Sequence, residues 1–81
     1  MTKQDDRLRG CFAVAFPELG PEQIGSASVN TVAEWDSLRA VVLVALIEEA
    51  FTIRIPARDY PQLRSYAAVD AYLHRTAGDE E

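Results

Sequence analysis

The strongest constraint on this chain is the segment from residue 37 to residue 51, which is apolar around nearly its whole circumference when drawn as a helix. One face carries Ala40, Leu43, Val44, Ile47, Ala50 and Phe51. The other face carries Leu38, Val41, Val42 and Ala45 and ends in Glu48 and Glu49. A few short helices cannot enclose one of their own members completely, so we expect the second face to stay partly exposed. The alternative is that neighbouring helices and the preceding loop cover most of residues 38–45.

The rest of the sequence predicts helices that pack against this one. A first helix is predicted over residues 4–16, and Pro17 blocks its continuation. Its apolar stripe, which includes a core thiol, consists of Leu8, Cys11, Phe12 and Ala15. A last helix is predicted from a cap at Ser65 to about Thr76. It would bury Tyr66, Val69 and Leu73.

The connections between these helices differ in length. Residues 17–35 are rich in glycine, serine and proline and predict a long loop, with one possible helical turn at 21–24. Residues 52–56 alternate like a strand, but no second strand is available for pairing, so we expect an extended connector. A short helical turn is expected near residues 57–63. The predicted fold is therefore all-α: a four-helix bundle of three longer helices and one short helix, with a long loop between helices 1 and 2.

Length and charge limit the classes of function. With 81 residues, 48% of them hydrophobic, one folded domain over 1–81 is expected, with flexible ends at about 1–3 and 77–81. The net charge of −5 and eight scattered basic residues argue against nucleic acid and favour a basic surface on another protein. Residues 1–6 show no apolar h-region of a signal peptide, and the longest apolar stretch, residues 40–47, is too short to span a membrane, so we expect a cytoplasmic monomer that does not bind membranes.

Ser37 is the candidate functional residue. Asp36 precedes it and can cap the helix that begins there, because its carboxylate can accept free backbone N–H groups of the first turn. A phosphate on Ser37 would lie at the positive end of the helix dipole. Asp36 would oppose that phosphate at close range, so its benefit would come from capping or from orienting a modifying enzyme and its metal ion. An Asp-Ser pair at a helix start is also a common cap with no further role.

Several landmarks agree in order and spacing: Trp35-Asp36-Ser37-Leu38, the apolar helix that ends at Phe51, the 53–56 connector and a closing helix begun by Ser65-Tyr66. In these residues the chain resembles the acyl carrier and peptidyl carrier protein family over nearly its whole length. The resemblance implies a bundle of acyl-carrier type whose Ser37 receives 4′-phosphopantetheine from coenzyme A through a phosphopantetheinyl transferase. The thiol of that arm would bear acyl or aminoacyl thioesters, and acyltransferase, ligase or synthase partners would load and unload it.

The exposed helix face departs from the pattern that the resemblance implies for fatty acid synthesis, where acids are usual. Here Arg39 and Val42 occupy two such places. The predicted partner-binding residues are Leu38, Arg39, Val41, Val42, Ala45, Glu48 and Glu49. Together with Trp35 before Asp36, this favours a discrete carrier of polyketide, nonribosomal or other specialised biosynthesis.

Two other classes of function stay open. One is a non-catalytic helical adaptor that binds partners without a prosthetic group. The other is a small enzyme that uses Cys11 and His74, although a single cysteine and a single histidine supply little for a nucleophile–base pair and no metal-ligand spacing. An independent enzyme is therefore not expected, and no metal site is predicted.

Overall fold

A computed structural model describes residues 3–76, and within that range the chain is all-α with no strand. The helical elements are α1 (Lys3–Ala15), α2 (Pro21–Ile24), α3 (Ser37–Phe51), a 3₁₀ segment (Ala57–Gln62) and α4 (Tyr66–Thr76). The three longer helices were predicted, and the shorter elements occupy the two places where turns were expected. Lys3 already belongs to α1, and the rest of the predicted flexible ends, residues 1–2 and 77–81, lies outside the described residues.

The bounds of α3 are the ones predicted, because both ends are marked by local chemistry. At its start the Asp36 carboxylate accepts a hydrogen bond from the Arg39 backbone N–H at 2.9 Å. At its end Thr52 adopts a left-handed conformation, with φ 55° and ψ 50°, and its N–H donates to the Glu48 carbonyl. Residues 53–56 then carry no secondary structure, so the alternating pattern of 52–56 forms no strand, as predicted, while Thr52 itself is left-handed and not extended.

The core lies where α1, α3 and α4 meet. Leu43, Val44 and Ile47 are the buried residues of α3, while Ala40, Ala50 and Phe51 pack against the core from its edge. The buried residues of α1 are the predicted Leu8, Cys11, Phe12 and Ala15. The buried residues of α4 are Tyr66, Val69, Tyr72 and Leu73. Burial of these side chains supplies the main favourable term in folding.

The long loop between α1 and α3 is held by buried side chains and by backbone pairing. Ile24, Val32 and Trp35 insert into the core. Further along the fold, the loop meets the start of α4: Val29 N–H donates to the Arg64 carbonyl, and Tyr66 N–H donates to the Ala27 carbonyl, both at 2.9 Å. These two hydrogen bonds hold the loop against residues 64–66 at the start of α4. Across residues 3–76, none of the helices combines the length and apolarity needed to cross a membrane.

Candidate functional site

Ser37 is exposed and is the first residue of α3. Two positions earlier, the Trp35 ring is buried, with its centroid 5.6 Å from that of Phe12 and 5.1 Å from that of Phe16. A single residue, Asp36, therefore separates the aromatic core from the exposed serine. This arrangement fixes where the helix starts and directs the hydroxyl-bearing residue to the surface.

Asp36 has the capping role that the sequence predicted. Its carboxylate accepts the Arg39 N–H, and its backbone carbonyl accepts the Ala40 N–H at 2.9 Å. Within residues 3–76 no hydrogen bond occupies the Ser37 hydroxyl. The site thus offers a free hydroxyl at the N-terminus of a 15-residue helix, where the helix dipole stabilises negative charge.

The second face of α3 is exposed next to Ser37. We call Leu38, Val41, Val42 and Ala45 the apolar strip. Leu38 is 74% exposed, Val41 51% and Val42 42%, and Ala45 is exposed as well. The alternative in which neighbouring elements cover this face is therefore wrong. A row of exposed apolar side chains on one helix is the kind of surface that other proteins bind.

Arg39 lies away from the apolar strip. Its guanidinium donates to the Ala15 carbonyl at 2.7 Å, pairs with both carboxylate oxygens of Glu18 at 3.2 and 3.3 Å, and lies 5.3 Å from the centre of the Phe16 ring. The Glu18 hydrogen bond raises the pKa of Arg39, and the same bond lowers the pKa of Glu18. Arg39 therefore ties the start of α3 to the end of α1, a role that its place on the helix did not reveal.

The two glutamates at the end of the second face differ. The Glu48 carboxylate accepts the Ile55 N–H at 2.8 Å, and the Glu48 carbonyl accepts the Ile53 N–H at 3.2 Å. Glu48 thus holds the connector after α3, while Glu49 is exposed. Of the two predicted partner-binding acids, Glu49 is the exposed one, and within residues 3–76 its carboxylate makes no hydrogen bond or ion pair.

An open groove of about 660 Å³ runs beside Ser37. Its walls include Asn30 from the loop, Val41 from α3, Tyr60 from the 3₁₀ segment and Arg64 from the residue pair before α4. These residues are far apart in sequence and share no pattern, so the groove was not predicted. The backbone pairing of residues 27–29 with 64–66 is what brings two of its walls together.

Cys11 and His74 do not meet in the fold. The Cys11 thiol is buried, and burial raises its pKa, which disfavours the reactive thiolate. The groove nearest to Cys11 is lined by residues of α1 and α3, and His74 is not among them. His74 lies on the exposed side of α4, where its ring contacts the Asp70 carbonyl at 2.9 Å. In residues 3–76 no group of three or more His, Cys, Asp or Glu side chains is placed to hold a metal ion.

Comparison of the chain with protein-family models, curated proteins and solved structures gave no match in any of the three.

Proposed function

We propose that this protein is a discrete acyl or aminoacyl carrier whose Ser37 is the attachment point of a 4′-phosphopantetheine arm. The observation that carries the proposal is a free, exposed hydroxyl at the N-terminus of α3, directly beside an exposed apolar strip. The hydroxyl supplies the chemical handle, and the strip supplies a surface for enzymes that must reach it. The bundle proposed is the four-helix architecture of acyl-carrier type.

The residues around Ser37 fit such a group. In the modification, Ser37 Oγ forms a P–O bond to the pantetheine-bearing phosphorus of coenzyme A while the pyrophosphate bond breaks. The adenosine 3′,5′-bisphosphate leaves, and the serine proton passes to a base of the transferase. The resulting phosphodiester would lie at the N-terminus of α3, where free N–H groups and the helix dipole favour an anion. The Asp36 carboxylate already accepts a hydrogen bond from the Arg39 N–H, so the proposed role of Asp36 at the attachment site is to order the start of α3.

The carrier itself would perform no chemistry on its cargo. An arm attached to an exposed helix end keeps a thioester at high effective concentration near each enzyme that docks on the protein. The proposed docking surface is the apolar strip with Glu49 at its lower end, for a phosphopantetheinyl transferase and for the acyltransferase, ligase or synthase partners of a specialised pathway. Because the strip is apolar, we expect docking to depend less on charge than on apolar contact.

Intact-mass spectrometry tests the attachment. The protein is incubated with coenzyme A, magnesium and a broad-specificity phosphopantetheinyl transferase. We expect a gain of one phosphopantetheine by the wild type and by Ser26→Ala, which removes another exposed serine, and no gain by Ser37→Ala. A wild type that never gains the arm, with a control carrier fully modified in the same mixture, would contradict the proposal.

A non-catalytic adaptor is the second candidate, and the exposed apolar strip favours it equally. The adaptor requires the strip but not the serine. Its partners would bind the wild type and Ser37→Ala alike, whereas the function of a carrier is abolished by that substitution.

A further inference from the structure

A second groove, of about 320 Å³, lies between α1 and α3, and Ser37 is not among its lining residues. Its walls are apolar along most of their length, and the apolar lining residues are Gly10, Cys11 and Val14 of α1 with Leu46 and Ala50 of α3. Two charged residues complete the lining, Arg7 on the α1 side and Glu49 on the α3 side. We call this surface the α1/α3 groove.

The two helices run antiparallel along this groove. The Arg39 guanidinium, at the start of α3, donates to the Ala15 carbonyl at the end of α1, at 2.7 Å. At the opposite end of the groove, the Arg7 guanidinium donates to the Ala50 carbonyl at 3.4 Å. These two contacts set the register of α1 against α3, and they place both charged residues of the lining at the end where α1 begins and α3 finishes.

The same register brings Val14 level with residues 42–46 of α3. Val14 is 66% exposed and Val42 is 42% exposed, while Leu46 is half-buried. Gly10 lies one turn before Val14 on the same side of α1, and open space lies where a Cβ atom would be at Gly10. The surface thus combines protruding apolar side chains with free space beside them, and a second pair of helices would cover both.

The charges at the end of the groove are self-complementary. The Glu49 carboxylate makes no hydrogen bond or ion pair within residues 3–76, and the ion pairs formed there do not include Arg7. A second copy rotated by 180° about an axis along the groove places α1 of each copy over α3 of the other and keeps the same ends together. Arg7 of each copy then faces Glu49 of the other, so the symmetry forms two opposite-charge contacts.

We propose that the α1/α3 groove joins two copies of this chain in a twofold dimer. Val14 of each copy packs against Val42 and Leu46 of the other, and the two Arg7–Glu49 contacts fix the orientation. A monomer was expected from the sequence, in which neither the groove nor the position of Arg7 opposite Glu49 is visible. The dimer does not depend on the modification of any residue.

The dimer is expected to be weak. A typical stable interface covers roughly 800 Å² of each partner, and a face two helices wide with small exposed side chains offers less. Each copy also carries a net charge of −5, which opposes association at low salt. We therefore expect a Kd on the order of 100 µM at about 0.15 M salt, where exposed charges more than roughly 8 Å apart are largely screened. Because Val42 also belongs to the apolar strip, an enzyme that docks on the strip displaces the second copy.

Sedimentation equilibrium of the full chain from about 10 µM to about 1 mM tests the dimer. We expect the average mass to rise with concentration. Arg7→Glu and Glu49→Arg, each alone, replace two attractive contacts by two repulsive ones and should weaken the dimer about tenfold. An equimolar mixture of these two variants should associate as the wild type does, because each chain supplies the charge that the other needs.

Two further variants separate the contacts from general effects. Arg58→Glu gives the chain the same net charge as Arg7→Glu, but it reverses an exposed arginine that lines neither this groove nor the one beside Ser37, so it should leave the dimer unchanged. Val14→Ser should weaken the dimer while far-UV circular dichroism shows an unchanged Tm, since Val14 is largely exposed.

Each outcome decides the proposal. A wild type that stays monomeric at about 1 mM would overturn the dimer. A wild type that associates, together with variants Arg7→Glu and Glu49→Arg that do not recover when mixed, would overturn the assigned orientation, as would equal losses in Arg58→Glu and Arg7→Glu. Association restored only in the mixture would support contacts between copies, because a contact across the groove of one chain cannot be repaired by a second chain.

Discussion

Val42 and Val44 provide a matched test of the division of α3 into a core face and a docking face. They are the same residue type two positions apart on one helix, yet Val42 is 42% exposed and Val44 is 4% exposed. Full burial of a valine side chain stabilises a fold by about 1.5–3 kcal/mol. Val42 loses only part of its surface from water, so Val42→Asp should cost about 1 kcal/mol, or roughly 4–8 °C in Tm for a domain of this size.

Val44→Asp places a carboxylate among Leu43, Ile47 and the other core residues. An unpaired buried charge costs about 3–5 kcal/mol, beyond the lost apolar contacts. A chain of this length has a total stability of roughly 4–12 kcal/mol, so this variant should be largely unfolded or strongly destabilised. Thermal unfolding followed by far-UV circular dichroism measures both variants under the same conditions.

The second measurement is kcat/KM for phosphopantetheine transfer to the folded Val42→Asp variant. In the docked complex the new carboxylate would lose its hydration against an apolar surface, so we expect a cost of about 1.4 kcal/mol, which is a loss of about tenfold, with the protein still folded. Equal losses of Tm in Val42→Asp and Val44→Asp would show that Val42 belongs to the core, and would refute the division of α3 into a core face and a docking face. A stable Val42→Asp that is modified at the wild-type rate would show that the transferase does not dock on the apolar strip.

Two further predictions concern the ends of α3. Among the described residues, Thr52 is the non-glycine residue with a positive φ, a conformation that costs energy for a residue with a Cβ atom. Thr52→Gly should therefore raise the free energy of unfolding by about 0.5–1 kcal/mol, measured as a higher urea midpoint. An unchanged or lower midpoint would contradict this reasoning. Since Arg39 lowers the pKa of Glu18 in the folded state, the Glu18 carboxylate should stabilise the fold fully above about pH 4.3, the ordinary glutamate value, and lose that effect as the pH falls through the lowered pKa. The difference in urea midpoint between the wild type and Glu18→Gln should therefore shrink on acidification, and a difference that grows instead would refute the assigned direction.

The sequence was most informative where structure is local. The bounds of α3 followed from the cap at Asp36 and the apolar pattern after it, both of which act within a few residues. The buried stripe of α1 followed from helical spacing in the same way. The helix itself ends at Ala15, one residue before the predicted end, although the Phe16 N–H still donates to the Phe12 carbonyl at 2.8 Å.

The sequence was least informative where long side chains reach distant backbone. The Arg39 guanidinium donates to the carbonyl of Ala15, 24 positions earlier in the sequence. The Glu48 carboxylate accepts the N–H of Ile55, 7 positions later. A helical wheel places both residues near the exposed face but does not show where their charged ends go. The groove depends on pairing of only a few residues from the loop with a few before α4, which is too short for any recognisable strand pattern.

The short distance in sequence between Trp35 and Ser37 has a consequence for transplanting this site. Because the indole packs against two phenylalanine rings that also contact each other, the serine follows directly on a residue of the interior. Copying only the exposed residues, Asp36 and Ser37, onto another bundle would transfer the hydroxyl without the buried aromatic residues that fix its position. A faithful graft would need to carry Phe12, Phe16 and Trp35 along with it.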